Sequence, residues 1–196
     1  MIPDRKNKKA VNRYSAVHGL FLLGILAICS SGCGAKDFAS IRHGIEVRGH
    51  YIDGVPFFRQ TGQDCGPAAL AGILAYHGRP ADLDAITASI YLPKLRGTLP
   101  MDLERHAREL GLKTASSSGT VDTLKTSIRN NVPVICLLDL GFGAYRQPHY
   151  ITVTGFDDGN RLFVLHDGET PDRTLSYAAF ENKWARAGRW MIVIKP

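Results

Sequence analysis

The spacing of apolar residues changes once along the chain, near Pro133, and the change separates two kinds of element. Upstream the spacing is helical. In CGPAALAGILAYHG, residues 65–78, Leu70, Ile73, Leu74 and His77 follow the i, i+3, i+4, i+7 pattern of one helix face, and Gly78 supplies a stop. A second helix is expected in ADLDAITASIY, 81–91. A third is expected in LPMDLERHARELG, 99–111, with Pro100 near its start, Leu103, Ala107 and Leu110 on one face, and Gly111 at its end. TVDTLKTSIRNN, 120–131, offers Thr120 as N-cap and Leu124 with Ile128 as an apolar stripe. Downstream of Pro133 the runs VPVICLLDL, HYITVTGF, RLFVLHDG and RWMIVIKP have strand character and are separated by Gly, Asn and Asp turns. Helices first and strands later predict an α+β domain, with N-terminal helices packed on a mostly antiparallel sheet, rather than a doubly wound α/β fold. There is no internal repeat, low-complexity block or glycine-rich phosphate loop.

The first 32 residues stand apart from that pattern. A basic start is followed by VHGLFLLGILAIC, residues 17–29, an apolar run of signal-peptide length and short for a membrane span. Then comes SSGC, in which small residues lead to Cys33; this resembles a bacterial lipobox, with Ser30 in place of the usual leucine. Lipid would be attached to Cys33 after cleavage before it. Cys29 is the poorer acceptor, since Ile28 precedes it. The expected division is a lipoprotein signal peptide over 1–32, a lipid-anchored tether over 33–54 that is polar or contains an early strand, and one domain over 55–196. One domain also suits a chain of 196 residues. The expected location is outside the cytoplasm, anchored to a membrane. Gly34 rather than Asp after Cys33 leans toward the outer membrane in a Gram-negative source.

The N-terminal segment also accounts for most of the charge. Of the net +6, Arg5, Lys6, Lys8, Lys9 and Arg13 against Asp4 contribute +4, and the remainder carries 19 Lys and Arg against 17 Asp and Glu. A near-neutral body without a basic stripe argues against a nucleic-acid partner. With Cys29 lost and Cys33 consumed, Cys65 and Cys136 remain of the four cysteines. Two cysteines make a poor disulfide framework, although a Cys65–Cys136 bridge stays open in an oxidising compartment. Cys136 lies in the apolar run PVICLLDL and reads as a buried small hydrophobe. Without CxxC or HExxH there is no motif for a metal, and no cofactor is expected.

Cys65 sits in GQDCGPAAL, between an acid and a Gly-Pro pair at a helix start. A free thiol has a pKa of about 8.5, so attack near neutral pH requires help for the anion. Pro67 suits a first helical turn, which places Cys65 where free N–H groups and the helix dipole favour negative charge. A nucleophilic cysteine also needs a histidine to take its proton. His18 is in the signal, His43 and His50 are in the tether, His77 is three turns downstream, and His106 sits between arginines on a solvated face. His149 and His166 remain, both near strand ends. HYITVTGFDDGNRLFVLHDG reads as a hairpin, and a three-residue turn over 157–159, with Gly159 left-handed, would face Phe156 with Asn160 and His149 with Asp167. Asp167 would then orient the imidazole, as His166 points to the other face. Gln60, five residues before Cys65, is the candidate oxyanion donor beside the Cys65 N–H, with Gln63 its rival.

These residues carry a family resemblance. VPFFRQTGQDCGPAALAGILAYHG, PVICLLDL, HYITVTGF and LFVLHDG together resemble the bacteriocin-processing, double-glycine leader peptidases, a branch of the papain-like cysteine peptidases. The likeness runs from about Val55 to Pro196. It implies a papain-like α+β fold in which Cys65 is the nucleophile, His149 the general base and acid, Asp167 the orienting acid and Gln60 the oxyanion-hole side chain. It also implies a peptide or protein substrate. The best-known members are cytoplasmic domains fused to an exporter, whereas this chain resembles a free-standing, exported relative. The reading favoured is a Cys-His-Asp thiol hydrolase acting on peptides outside the cytoplasm. The alternative is a catalytically silent papain-like binding or scaffold lipoprotein of the cell envelope.

Overall fold

The computed structural model describes residues 37–196; the expected signal segment, Cys29 and the lipidation residue Cys33 lie outside the described residues. The four helices expected upstream of Pro133 form, each for a local reason. Helix α2, Cys65–Tyr76, is apolar round most of its circumference and buries Leu70, Ala71, Ile73 and Leu74 completely. A helix of that composition has to lie inside the molecule. Helix α3, Leu83–Ile90, is capped by the Asp82 side chain, which accepts from the Ala85 N–H. Helix α4, Pro100–Glu109, starts on Pro100 and buries Leu103 and Ala107. Helix α5, Val121–Arg129, opens on a reciprocal box in which Thr120 and Thr123 each bond the other's backbone N–H.

Seven strands form one antiparallel sheet: β1 (Gly49–Tyr51), β2 (Lys113–Ser118), β3 (Val134–Asp139), β4 (Pro148–Asp157), β5 (Leu162–His166), β6 (Arg173–Ser176) and β7 (Trp190–Lys195). The order is β2-β7-β3-β4-β5-β6. Strand β1 pairs with the far end of β4, Gly49 opposite Asp157. Alternation along β3 shows how the sheet divides the core. Ile135 and Leu137 pack with Leu70, Ile73, Leu74 and Leu103 of α2 and α4, whereas Val134, Cys136 and Leu138 pack with Leu124 and Ile128 of α5. Helix α6, Tyr177–Arg186, adds Phe180 and Trp184 to the α5 side. The α+β expectation therefore stands, with helices on both faces of the sheet.

Two expectations need correction. The sequence predicts a tether or early strand over 33–54, yet helix α1, Phe38–Arg48, and strand β1 occupy much of that stretch. Ile41 and Ile45 are buried against Val164 of β5, so folded structure begins well before Val55. The β4–β5 turn also differs. Asp157 pairs with Leu162, so residues 158–161 make the turn, and Arg161 rather than Gly159 takes the positive φ, at 56°. The cause is the buried Asp157 carboxylate, whose Oδ1 accepts from Gly159 N at 2.8 Å and Asn160 N at 3.1 Å. The turn so made begins one residue later and closes two residues later than a DDG loop over 157–159 would. A β-bulge between Val153 and Gly155 shifts the register again, and Thr152 faces His166. His149 and Asp167 are thus not a cross-strand pair.

Candidate active site

Cys65, the first residue of α2, lies where the helix leaves N–H groups without intrahelical acceptors. The turn before it is built on Asp64. Its buried carboxylate accepts from Thr61 N at 2.9 Å, Thr61 Oγ1 at 3.1 Å and Gly62 N at 3.2 Å, which fixes the path from Gln60 to Cys65. Gly66 lets α2 approach the rest of the site. A Cβ there would lie 2.9 Å from Thr98 Cβ and 3.3 Å from a Tyr150 ring carbon. Tyr150 in turn donates its hydroxyl to the Thr98 carbonyl at 3.0 Å.

The structure brings His149 and Cys65 to one cleft, near enough that each shifts the ionisation of the other. The imidazole Nε2 lies 2.7 Å from the Asp167 main-chain oxygen. A carbonyl can only accept, so Nε2 carries the hydrogen and Nδ1 is the nitrogen left for the thiol. That tautomer is the one able to take the Cys65 proton. Burial pushes the Cys65 thiol up, but the hydrogen bond and charge of His149, with backbone N–H groups of Tyr150 and Gly66 on the sulfur, outweigh it and leave the thiol below its ordinary value. For His149, burial pushes the pKa down, and the Cys65 hydrogen bond and charge, followed by the Asp167 carbonyl and charge, raise it above its ordinary value. Opposite shifts of this kind favour a thiolate–imidazolium pair.

Asp167 is brought to the site in a manner the sequence did not indicate. It lies beyond the end of β5 and meets His149 through its carbonyl; its carboxylate turns back into its own loop. Oδ1 accepts from Glu169 N at 2.9 Å and Thr170 N at 2.7 Å, and Oδ2 accepts from Arg173 Nη1 at 2.6 Å. Burial raises the Asp167 carboxyl, while Arg173 and the Thr170 and Glu169 N–H groups more than offset this and hold it below the usual range.

Gln60 and Gln63 both border the cleft that contains Cys65, and their surroundings separate them. The Gln60 N–H donates to the Gly168 carbonyl at 2.8 Å. Its side-chain oxygen is buried without a partner, and a Cβ on Gly168, where φ is +84°, would come within 2.7 Å of that oxygen. Gly168 is thus needed for both conformation and close approach. Gln63 is exposed and its oxygen accepts from Arg96 Nε at 3.0 Å. Of the two, Gln60 is the one held in place by its surroundings at the cleft.

His166 does not join this group. Its Nε2 donates to the Val55 carbonyl at 3.1 Å and its Nδ1 accepts from Asp172 N at 3.2 Å, bracing the segment before Gln60 against the loop after β5. Cys65 and Cys136 are both free thiols, and Cys136 is fully buried on the α5 side of β3, away from α2. A bridge between them is not formed. Burial pushes the Cys136 thiol far up.

One supporting residue went unread in the sequence. Asp139, at the end of β3, is buried and accepts from Gln147 N and Gly141 N, each at 2.9 Å, from Arg146 at 2.7 Å and from Arg186. The Gln147 N–H and Arg146, with further help from Gly141 and Arg186, hold its carboxyl far below the usual range. It shapes the 140–147 loop that delivers β4 and His149. A buried acid at a strand end was the available signal.

The cleft has a volume of about 860 Å³, room for several residues of an extended peptide. Leu95, Leu99 and Tyr145 border it with apolar side chains that are 60%, 39% and 69% exposed. Among the described residues no group of three or more His, Cys, Asp and Glu side chains could hold a metal ion, and no helix is long and apolar enough to cross a membrane.

A cysteine at a helix start, facing a histidine on an antiparallel sheet, defines the papain-like class of fold. The chain belongs to the Peptidase_C39 like family, whose model matches residues 52–192. Solved structures agree at the level of fold. A C39-like peptidase from Bacillus anthracis is 16% identical, with a TM-score of 0.63 over 76% of this chain and 98% of that one. A double glycine motif protease from an AMS/PCAT transporter, solved with the leader peptide, is 19% identical with a TM-score of 0.61, over 75% and 94%. The peptidase domain of Streptococcus ComA, a bi-functional ABC transporter involved in a quorum sensing pathway, is 21% identical with a TM-score of 0.58, over 73% and 99%. No curated protein matches the sequence.

Proposed function

We propose that this chain is a cysteine peptidase, hydrolysing peptide bonds through an acyl-thioester on Cys65. The observation that carries the proposal is Cys65 at a helix start and His149, its Nε2 2.7 Å from the Asp167 carbonyl, lining one peptide-sized cleft, an arrangement that lowers the thiol and raises the imidazole. The Cys65 thiolate attacks the scissile carbonyl carbon, and the resulting oxyanion is received by the Cys65 N–H and the Gln60 amide. The His149 imidazolium gives its Nδ1 proton to the leaving amine as the C–N bond breaks. The neutral imidazole then takes a proton from water, whose oxygen attacks the thioester. Collapse releases a carboxylic acid and restores the thiolate–imidazolium pair. A peptide substrate is supported by the related protease solved with its leader peptide.

The test is a peptide library incubated with the purified protein, with new termini read by mass spectrometry, alongside a peptide-based electrophile. Cleavage is expected, together with labelling of Cys65 in preference to Cys136. Absence of cleavage with equal, slow labelling of both cysteines would leave the silent scaffold reading. We further propose that the protein acts outside the cytoplasm, held to a membrane by lipid on Cys33, the reading supported by the SSGC sequence after the apolar run. Cys33→Ser is expected to move the protein from the membrane fraction to the soluble one. Unchanged membrane association would overturn the anchor.

A further inference from the structure

The peptidase reading assigns the third member of the site to Asp167, and its surroundings show which of its oxygens does the work. Both oxygens of its carboxylate are engaged within the loop and with Arg173, in three of about four acceptor directions. Two acceptor directions of Oδ1 are taken by the Glu169 and Thr170 N–H groups, and Oδ2 receives Arg173 at 2.6 Å. These bonds close residues 167–170 into a turn, which the Asp167 N–H to Thr170 carbonyl bond at 3.4 Å also spans. The oxygen left for His149 is the Asp167 carbonyl, 2.7 Å from Nε2.

Arg173 is well placed to hold this arrangement. It is the first residue of β6 and pairs with Leu165 of β5, two residues before Asp167, so its backbone is fixed by the sheet. Its side chain is 59% exposed at the cleft, against 9% for that of Asp167. The guanidinium thus reaches from the cleft surface onto a buried carboxylate and ties it down at 2.6 Å.

We infer that Asp167 orients His149 through its main-chain carbonyl, and that Arg173 is the positioning residue that keeps the Asp167 carboxylate turned away so that this carbonyl is presented. This rests on the Cys65–His149 peptidase reading and deepens it. An oriented carbonyl stabilises the same tautomer, and the imidazolium, as a carboxylate would, without adding a charge at Nε2. Asp167→Asn then becomes an informative change. Asparagine keeps the side-chain oxygen that receives the Glu169 and Thr170 N–H groups, and it keeps the carbonyl.

The experiment is the pH dependence of iodoacetamide alkylation at Cys65, read by mass spectrometry on the purified protein. Wild type is compared with Asp167→Asn, Arg173→Ala, Arg173→Lys, the Asp167→Asn/Arg173→Ala double variant and His149→Ala. Asp167→Asn and Arg173→Ala are each expected to slow alkylation at pH 6 by about three- to tenfold and to move the low-pH limb upward by up to about one unit. The double variant should be no slower than the worse single one, because the two residues act as a unit. Arg173→Lys, which retains a charged donor, should recover most of the rate. Selective ¹⁵N-histidine NMR, with His149 assigned by its loss in His149→Ala, should show hydrogen on Nε2 in both wild type and Asp167→Asn. A hundredfold loss in Asp167→Asn, with Arg173→Ala unchanged, would overturn this assignment and make the carboxylate the direct partner. An unchanged profile in His149→Ala would overturn the peptidase reading itself, and with it the role given to Arg173.

Discussion

Cys65→Ala is expected to abolish peptide cleavage, and His149→Ala to slow alkylation of Cys65 by about two orders of magnitude at pH 6. The size of the second effect follows from the thiol's ordinary behaviour. With a pKa of about 8.5, well under one per cent of an isolated thiol is ionised at pH 6, whereas the paired thiol is held lower by His149. Removing the imidazole takes away its hydrogen bond and its charge, and the burial that opposes ionisation is left uncompensated. The sign is fixed by the directions of the two shifts. Thiolate is lost as pH falls through the lowered Cys65 value, and the proton donor is lost as pH rises through the raised His149 value. Turnover should therefore be bell-shaped in pH, whereas alkylation should show only the acidic limb. The measurement is a pair of profiles, alkylation rate by mass spectrometry and turnover of a peptide found in the library. Identical alkylation profiles for wild type and His149→Ala would remove the basis for the mechanism.

Gln60→Ala should produce the opposite division between those assays. Turnover is expected to fall by about 10²–10³, the usual cost of losing one oxyanion donor, with the KM little changed. Alkylation by iodoacetamide passes through no tetrahedral oxyanion, so its rate should stay within about twofold. Gln63→Ala serves as the comparison, since that side chain is exposed and engaged with Arg96. A large turnover loss in Gln63→Ala with none in Gln60→Ala would reverse the assignment. The two assays distinguish a missing oxyanion donor from a distorted thiol, because only the latter would slow both.

The amphipathic helices and apolar strands could be read from the chain because their side chains face one environment for several turns or pairs in succession. Leu103 and Ala107 of α4, and Leu124 and Ile128 of α5, are buried as their spacing requires. Strand β2, KTASSS, could not be read this way. It is an edge strand with almost every residue exposed, held by backbone pairing to β7 rather than by an apolar face. Helix α6 has a helical period of its own: Tyr177, Phe180 and Trp184 recur at that spacing behind Ser176, whose side chain accepts from Ala179 N. At the site, Cys65 and His149 could be named from local context because each needs only a helix start or a strand end. The Asp167 geometry could not. It depends on a carboxylate at Asp157 and a bulge in β4, either of which moves the register, and on backbone bonds within a loop that has no apolar period.

Helix α1 and strand β1 precede residues 52–192, the part matched by the family model, yet they are structural neighbours of the hairpin that carries the site. Tyr51 pairs with Gly155 of β4 and donates its hydroxyl to Asp172 at 2.8 Å, and Ile41 and Ile45 cover Val164. A recombinant fragment cut to the family boundary would discard these contacts. Val164 would face water, the distal half of β4 would become a free edge, and the 167–172 loop would lose its Tyr51 bond. Local opening would then begin at the back of the hairpin, the side away from the cleft, and reach His149 through the strand itself. Phe38–Tyr51 thus acts as a buttress behind the working face, and expression boundaries chosen for biochemistry belong upstream of Asp37.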